Sequence, residues 1–70
     1  MFVVIPEDLV EWASPQHLAL YCEIYLLEVR RKKYNLRQLA SESALTYKQA
    51  IKLRSIAKLT LEKARGNNGK

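Results

Sequence analysis

A helical stripe of apolar residues between Pro15 and Lys33 limits the possible folds more than any other part of the sequence. Ser14 and Pro15 form a strong helix start, because serine accepts from the free N–H groups of a first turn and proline loses no bond there. The apolar residues form two adjacent stripes, Leu18, Tyr21, Cys22, Tyr25 and Val29 on one and Leu20, Ile24 and Leu27 on the other. The sequence therefore predicts a long helix over about 15–32 whose apolar face is wider than one partner helix covers.

The length of the chain and its few reactive residues exclude most enzyme classes. Seventy residues form one small domain, whose core leaves little room for a deep substrate pocket. The sequence contains no glycine-rich phosphate loop, paired carboxylates or Ser/His/Asp set, and His17 with the single cysteine, Cys22, offers too few ligands for a zinc site. We therefore expect no enzyme activity, no cofactor and no metal.

The sequence contains no sign of a membrane span or a secretion signal. The longest apolar run, from Leu18 to Cys22, has five residues, which is far too short to cross a bilayer. Residues 1–6 contain neither a basic leader nor a small-residue cleavage site. We therefore expect no membrane partner and a cytoplasmic location.

Shorter elements are predicted before the long helix. Phe2–Ile5 is a β-branched and aromatic run that ends at Pro6, which predicts an extended N-terminal arm. Pro6 and the two acidic residues after it favour a short helix, since acids stabilise a first turn. We expect this helix to bury Leu9, Val10 and Trp12.

Two more helices are predicted after the long one. Tyr34-Asn35 is a polar break, and the spacing that follows predicts a short helix over about 36–42. Thr46 is a good N-cap for a last helix over about 46–64. The segment 59–64 also alternates like a strand, but a helix places Leu53, Ala57, Leu61 and Ala64 on one stripe and uses Gly66 as its C′ residue. We favour the helix and expect 66–70 to be a flexible tail beyond a domain of 1–65.

Charge is strongly segregated along the chain. Residues 1–28 hold five acidic residues and no Lys or Arg, for a net charge of −5, whereas residues 29–70 hold twelve basic and two acidic residues, for a net charge of +10. A segment this basic attracts polyanions, because phosphate binding releases condensed counterions. An anionic lipid or an acidic protein surface would be attracted in the same way.

The stretch from Leu36 to Leu53 reads Leu-Arg-Gln-Leu-Ala-Ser-Glu-Ser-Ala-Leu-Thr-Tyr-Lys-Gln-Ala-Ile-Lys-Leu and resembles the helix–turn–helix of DNA-binding regulators. In that motif a small residue, here Ala40, allows two helices to cross closely, and Leu45 anchors the turn between them. The family usually has glycine in a left-handed conformation where this chain has Ala44, at a cost of about 1 kcal/mol for alanine. The resemblance implies an all-α fold, a small helix–turn–helix bundle with an extended arm.

The longer stretch from the N-terminus through the Leu36–Leu53 motif resembles the winged helix–turn–helix domains of phage and plasmid proteins, which include replication initiators and small transcription regulators. The Val-Ile-Pro opening, the helix that starts at Ser14-Pro15 and the Leu-Arg-Gln-Leu-Ala run carry this resemblance. A complete β-hairpin wing is absent, so the chain is either a piece of a longer protein or a small protein without the wing. The resemblance implies a sequence-specific double-stranded DNA-binding protein of a mobile element, acting in transcription regulation or as a replication accessory factor.

If the motif is present, its docking geometry assigns roles to individual residues. The second helix enters the major groove and presents its first two turns, where Lys48 and Lys52 suit guanine edges or phosphates and Gln49 suits adenine. Arg37 and Gln38, at the start of the preceding helix, would meet the DNA backbone. The predicted DNA-binding set is Arg37, Gln38, Thr46, Tyr47, Lys48, Gln49, Lys52 and Ser55. Lys32, Lys33, Arg54 and Lys58 are expected to add nonspecific attraction for phosphate.

Two questions about partners stay open from the sequence. A domain this small makes few base contacts, so a homodimer through the 15–33 helix or the N-terminal arm is expected to supply the missing specificity. The alternative function is a protein–protein interaction module, in which the same fold uses its basic face to dock an acidic protein.

Overall fold

The computed structural model describes residues 3–69, and the side chains of residues 3–65. Four helices follow one another along the chain: α1 (Glu7–Trp12), α2 (Pro15–Val29), α3 (Leu36–Glu42) and α4 (Tyr47–Gly69). The described residues contain no strand, so the prediction of an all-α bundle is confirmed and 59–64 is helical. The third helix has the predicted bounds. The last helix runs past Gly66 in its backbone, whereas we expected it to end there; flexibility of 66–70 stays a prediction, and Lys70 lies outside the described residues.

The long helix begins at the predicted cap. The backbone N–H of His17 donates to Ser14 Oγ over 3.4 Å, and His17 Nδ1 accepts from the Ser14 backbone N–H over 3.2 Å and from its hydroxyl over 2.6 Å. This reciprocal pairing satisfies donors that a helix start leaves free. It gives His17 a structural role at the start of α2.

The same helix ends three residues earlier than predicted, at Val29. Arg31 adopts a left-handed conformation with φ of 56°, and the Lys32 N–H donates to the Leu27 carbonyl over 3.0 Å while the Arg31 N–H donates to the Glu28 carbonyl over 3.1 Å. This is a Schellman ending, which usually employs glycine at the left-handed position. Because no glycine stands there, nothing in the local sequence marks the end of the helix.

The core lies where α4 packs on α2 and α3. Every buried side chain in the described residues is apolar or tyrosine, and the set is Leu9, Leu20, Tyr21, Ile24, Tyr25, Leu36, Ala40, Ala50, Leu53, Ala57 and Leu61. The arm joins this core through Tyr21, whose hydroxyl donates to the Val4 carbonyl over 2.5 Å. The arm therefore contacts α2, and α4 packs on the same helix.

Two parts of the predicted core are wrong. Trp12 is 42% exposed and Val10 is 58% exposed, and of the predicted buried side of α1 only Leu9 is buried. Trp12 is the last residue of this six-residue helix, and the ammonium of Lys52 on α4 lies against its ring. Trp12 instead packs edge-on against His17, with 5.3 Å between ring centroids.

The 15–33 helix also exposes less apolar surface than we expected, since its large apolar side chains are buried or half-buried. None of the large apolar side chains of α2 is exposed; the exposed ones in the described residues lie on the arm, on α1 and on α4, and they are Val4, Ile5, Val10, Trp12, Tyr47 and Leu59. This removes the reason for a homodimer through α2 and leaves the arm as the only predicted dimer surface. None of the helices within residues 3–69 combines the length and apolar character that a bilayer span requires.

Candidate nucleic-acid interface

The corner between α3 and α4 has the backbone that the sequence predicted. Ala44 has a left-handed φ of 58°, the Leu45 N–H donates to the Ala40 carbonyl over 2.9 Å, and the Ala44 N–H donates to the Ser41 carbonyl over 3.1 Å. This second Schellman ending terminates α3 at once and redirects the chain into α4. Ala44 is therefore left-handed at the position where the family that the sequence resembles usually has glycine.

A small residue seats α3 on the rest of the bundle. Ala40 is 1% exposed, and Ala50 and Leu53, which we expected to seat α4 on the core, are fully buried. Leu39 and Leu45 are partly buried and pack against the same cluster. A larger side chain at position 40 would hold α3 away from this cluster, because the interior is packed without spare volume. The arrangement is compatible with a helix–turn–helix.

A capping box fixes the start of α4. Thr46 Oγ1 accepts from the Gln49 backbone N–H over 3.1 Å, and Gln49 Oε1 accepts from the Thr46 backbone N–H over 3.0 Å and from its hydroxyl over 3.2 Å. The prediction that Thr46 is the N-cap is confirmed. The predicted adenine contact of Gln49 would need the same amide oxygen, so in this conformation Gln49 serves the helix start instead.

All eight predicted DNA-binding residues are exposed, but they do not project alike. Lys48 and Ser55 are seven residues apart and lie opposite the buried stripe of α4, so they share its outer face. Lys52 lies on the edge of that face, and its ammonium sits 4.4 Å from the centre of the Trp12 ring. Lys48 and Lys52 are one helical turn apart on the same side of α4, but the cation–π contact holds the ammonium of Lys52 toward α1.

The two residues at the start of α3 that we expected to meet the DNA backbone, Arg37 and Gln38, contact other side chains of the chain. Arg37 holds the central carbon of its guanidinium 4.0 Å from the centre of the Tyr47 ring. Gln38 donates its side-chain N–H to Glu42 over 3.2 Å, and its backbone N–H donates to Asn35, the N-cap of α3. Arg37 and Tyr47, ten residues apart, thus form one unit across the corner, which no local spacing in the sequence predicts.

The structure also contains a concave basic surface that the sequence did not predict, and we call it the basic cleft. It has a volume of about 650 Å³ and lies between the end of α2, the start of α3 and one flank of α4. Its lining is Glu28, Lys33, Tyr34, Asn35, Leu36, Arg37, Tyr47, Arg54 and Lys58. Three of the four residues that we expected to attract phosphate diffusely thus meet Arg37 in one place, while Lys32 stays outside.

The electrostatics of the basic cleft are set by one carboxylate and four cations. The Tyr34 hydroxyl donates to the Glu28 carboxylate. Burial, then this hydrogen bond and the charge of Glu28 raise the pKa of Tyr34 well above its ordinary value, and nearby Arg54 opposes the rise. Tyr34 therefore stays protonated at neutral pH and keeps its hydrogen bond to the only acid of the cleft.

A metal site has no support in the part of the chain that the structure describes. No group of three or more His, Cys, Asp or Glu side chains there is placed to hold an ion. Cys22 is half-buried on α2, and His17 is engaged by the helix cap. The arrangement as a whole offers cations, aromatic faces and an exposed helix start, and these suit a polyanion.

Comparison with protein-family models, with curated proteins and with solved structures finds no match to this chain.

Proposed function

We propose that this chain binds double-stranded DNA and acts as a transcription regulator or a replication accessory factor. The observation that carries the proposal is the left-handed corner at Ala44, which packs α3 through Ala40 and leaves the first turns of α4 exposed. Those turns lie within the segment of net charge +10. An exposed helix of this kind fits the major groove, and the positive charge around it supplies affinity for the backbone.

The contacts follow from the side chains on α4. Lys48, on the outer face, is the residue best placed for guanine edges or phosphates, with Ser55 farther along the same face. Lys52 would contribute after leaving Trp12, a contact worth about 0.5–1 kcal/mol at an exposed site. Arg37 and Tyr47 would meet a backbone strand beside the groove. Thr46 and Gln49 then act mainly by fixing the first turn.

A single domain of this size gains few base contacts, whereas specific sites need about 4–10 kcal/mol over nonspecific binding. A homodimer through the arm would double the contacts, and exposed Val4, Ile5 and Val10 offer apolar surface for it. The mass of the chain in light scattering, at tens of micromolar and with and without duplex, tests this part. A monomer in both samples would contradict it.

Affinity for a duplex across a salt series tests the proposed function. We expect log K to fall steeply against log salt, by about 0.9 for each phosphate contact. The Lys48→Ala/Lys52→Ala variant should lose most of the affinity. Lys32→Ala/Lys63→Ala, which removes two exposed cations outside the set, is the reference for an equal change in net charge. No measurable duplex binding by the wild type at low salt would overturn the proposal.

A protein-interaction module is the second candidate, and an apolar groove between α1 and α4 favours it. The groove has a volume of about 330 Å³ and is lined by Pro6, Leu9, Trp12, Ile56 and Leu59, with Asp8, Lys52, Thr60 and Lys63 at its sides. Leu59 is 59% exposed, so its side chain is accessible to a partner in this groove. Leu59→Ser leaves the cations of α4 in place, so it should leave duplex binding unchanged but weaken docking of a protein.

A further inference from the structure

We infer that the basic cleft is a binding site for a phosphate group. The inference deepens the proposed function, since the backbone of a duplex held against α4 is one source of that group; a small phosphate ligand is the other. Four cations, Lys33, Arg37, Arg54 and Lys58, converge on one concave surface. Their grouping around one concave surface distinguishes this site from the remaining exposed lysines, because cations that line the same surface add their potentials.

The arginine at the mouth of the cleft is already oriented. A cation–π contact holds the central carbon of the Arg37 guanidinium at 4.0 Å from the centre of the Tyr47 ring, which restricts this side chain. The N–H groups lie in the guanidinium plane and stay available for a planar or tetrahedral oxyanion. An arginine held in this way loses less freedom on binding a phosphate than an unrestrained side chain does.

The carboxylate that lines the cleft, Glu28, is outnumbered by four cations and has a hydrogen-bond partner of its own. Glu28 accepts a hydrogen bond from the Tyr34 hydroxyl, and Tyr34 lines the same surface. The cleft thus keeps an excess of cations over acids. On the side toward the end of α4, a smaller cavity of about 170 Å³ adds Arg65 and Glu62 next to Lys58, so the two added charges cancel.

The position of the cleft suits a backbone phosphate. It lies on the flank of α4 that begins with Tyr47, the first residue of the helix, and continues along that flank to Lys58. Eleven residues of helix correspond to about 16 Å. A helix in a major groove has a phosphate backbone along each side, and this flank would face one of them.

Two double variants test the inference on the full chain. Lys33→Gln/Lys58→Gln removes two cations of the cleft, and Lys32→Gln/Lys63→Gln removes two cations outside it. Each pair has one residue from the segment after α2 and one from α4, and all four are exposed, so both variants should keep the wild-type melting temperature. Inorganic phosphate is titrated at constant ionic strength, and the Nε–H signals of Arg37 and Arg54 are followed by NMR.

We expect both arginine signals to shift and to saturate with phosphate. Affinity should fall about tenfold in Lys33→Gln/Lys58→Gln and stay at the wild-type value in Lys32→Gln/Lys63→Gln. With duplex DNA, the cleft variant should also flatten the salt slope by about 0.9 for each phosphate that it no longer neutralises. Unsaturating shifts that are equal in both variants would overturn the inference.

The measurement with duplex DNA distinguishes a backbone phosphate from a small phosphate ligand. Saturating phosphate binding without any duplex binding assigns the cleft to a small phosphate ligand and overturns the proposed function while the inference stands. Duplex binding that is equally weakened in both double variants, with no arginine shifts in phosphate, leaves the proposed function intact and overturns the inference.

Discussion

The two flanks of α4 each hold a cation over an aromatic ring, yet the two contacts have opposite consequences. On one flank Lys52 sits over Trp12, beside α1, whose first turn contains Glu7 and Asp8. On the other, Arg37 sits over Tyr47 in a cleft with three further cations. The first contact draws a positive charge toward an acidic helix, while the second adds a charge to a basic surface.

These two contacts show how folding gives one basic segment of the sequence two chemically different surfaces. Lysine presents a compact ammonium, so placing it on a ring occupies much of its binding capacity, whereas a guanidinium beside a ring keeps N–H donors free. The Lys52 flank is also the apolar one, with Trp12 and Leu59 exposed along the groove. The flank of Arg37 therefore suits a phosphate backbone, and the flank of Lys52 suits a protein or a second structural element.

A substitution that disrupts the packing of α3 beside the Ala44 corner should change stability most, because both flanks of α4 depend on that packing. Ala40→Leu inserts three carbon atoms where Ala40 is 1% exposed and should lower the free energy of unfolding by about 1–3 kcal/mol. Ala19→Leu, at an exposed site of α2, is the matched control and should stay within about 0.5 kcal/mol of the wild type. Urea unfolding followed by circular dichroism measures both. Equal stability of the two variants would mean that α3 does not pack closely at Ala40.

The next effect distinguishes the flanks directly. Tyr47→Ala removes the ring that orients Arg37 and should weaken duplex binding about two- to fivefold, which corresponds to a cation–π contact of about 0.5–1 kcal/mol. Trp12→Ala frees Lys52 and should leave duplex affinity unchanged or raise it. Fluorescence anisotropy with one labelled duplex compares them at a single salt concentration. A larger decrease from Trp12→Ala than from Tyr47→Ala would reverse the assignment of the two flanks.

Parts of this arrangement are readable from local sequence. The bounds of α3 follow from the polar break at Tyr34-Asn35 and the Leu36, Leu39, Ala40 spacing, and the left-handed corner follows from the resemblance at Ala44. Thr46 and Gln49 show the spacing of a capping box, yet the sequence alone does not decide whether the glutamine side chain turns back to the helix start or outward to a base.

Other parts depend on how the helices meet. The basic cleft joins residues from Glu28 to Lys58, and no single periodicity contains them. The prediction of a buried Trp12 follows the general burial of large aromatic residues, but Trp12 ends α1 and stays at the surface. The early end of α2 at Val29 could not be predicted, because the left-handed position that follows holds Arg31 instead of the usual glycine.

A smaller effect tests the conformation of the corner. Ala44→Gly relieves the left-handed strain of an alanine, and after the added entropy of unfolded glycine it should raise the free energy of unfolding by about 0.5–1 kcal/mol. Ala19→Gly, within α2 and without positive φ, should lower it by about 1 kcal/mol. Stability changes of opposite sign in the two variants, measured by thermal unfolding, would support the left-handed conformation of Ala44. A loss of stability at both positions would contradict the positive φ at Ala44 and, with it, the packing that both flanks share.

The last prediction concerns Tyr34, the hydrogen-bond donor to Glu28 in the basic cleft, whose titration should change stability only at high pH. The pKa of Tyr34 is raised above 10.0 mainly by burial and then by Glu28, and burial also raises the pKa of Tyr21. Above pH 10 the unfolded chain therefore releases these protons before the folded one, and stability falls as the pH rises. Tyr34→Phe should make this fall shallower while Tyr21 preserves part of it. Urea midpoints between pH 8 and about 11 measure the slope. An identical slope in wild type and Tyr34→Phe would mean that Tyr34 does not hold its proton against Glu28, and the carboxylate would then face the cations of the cleft directly.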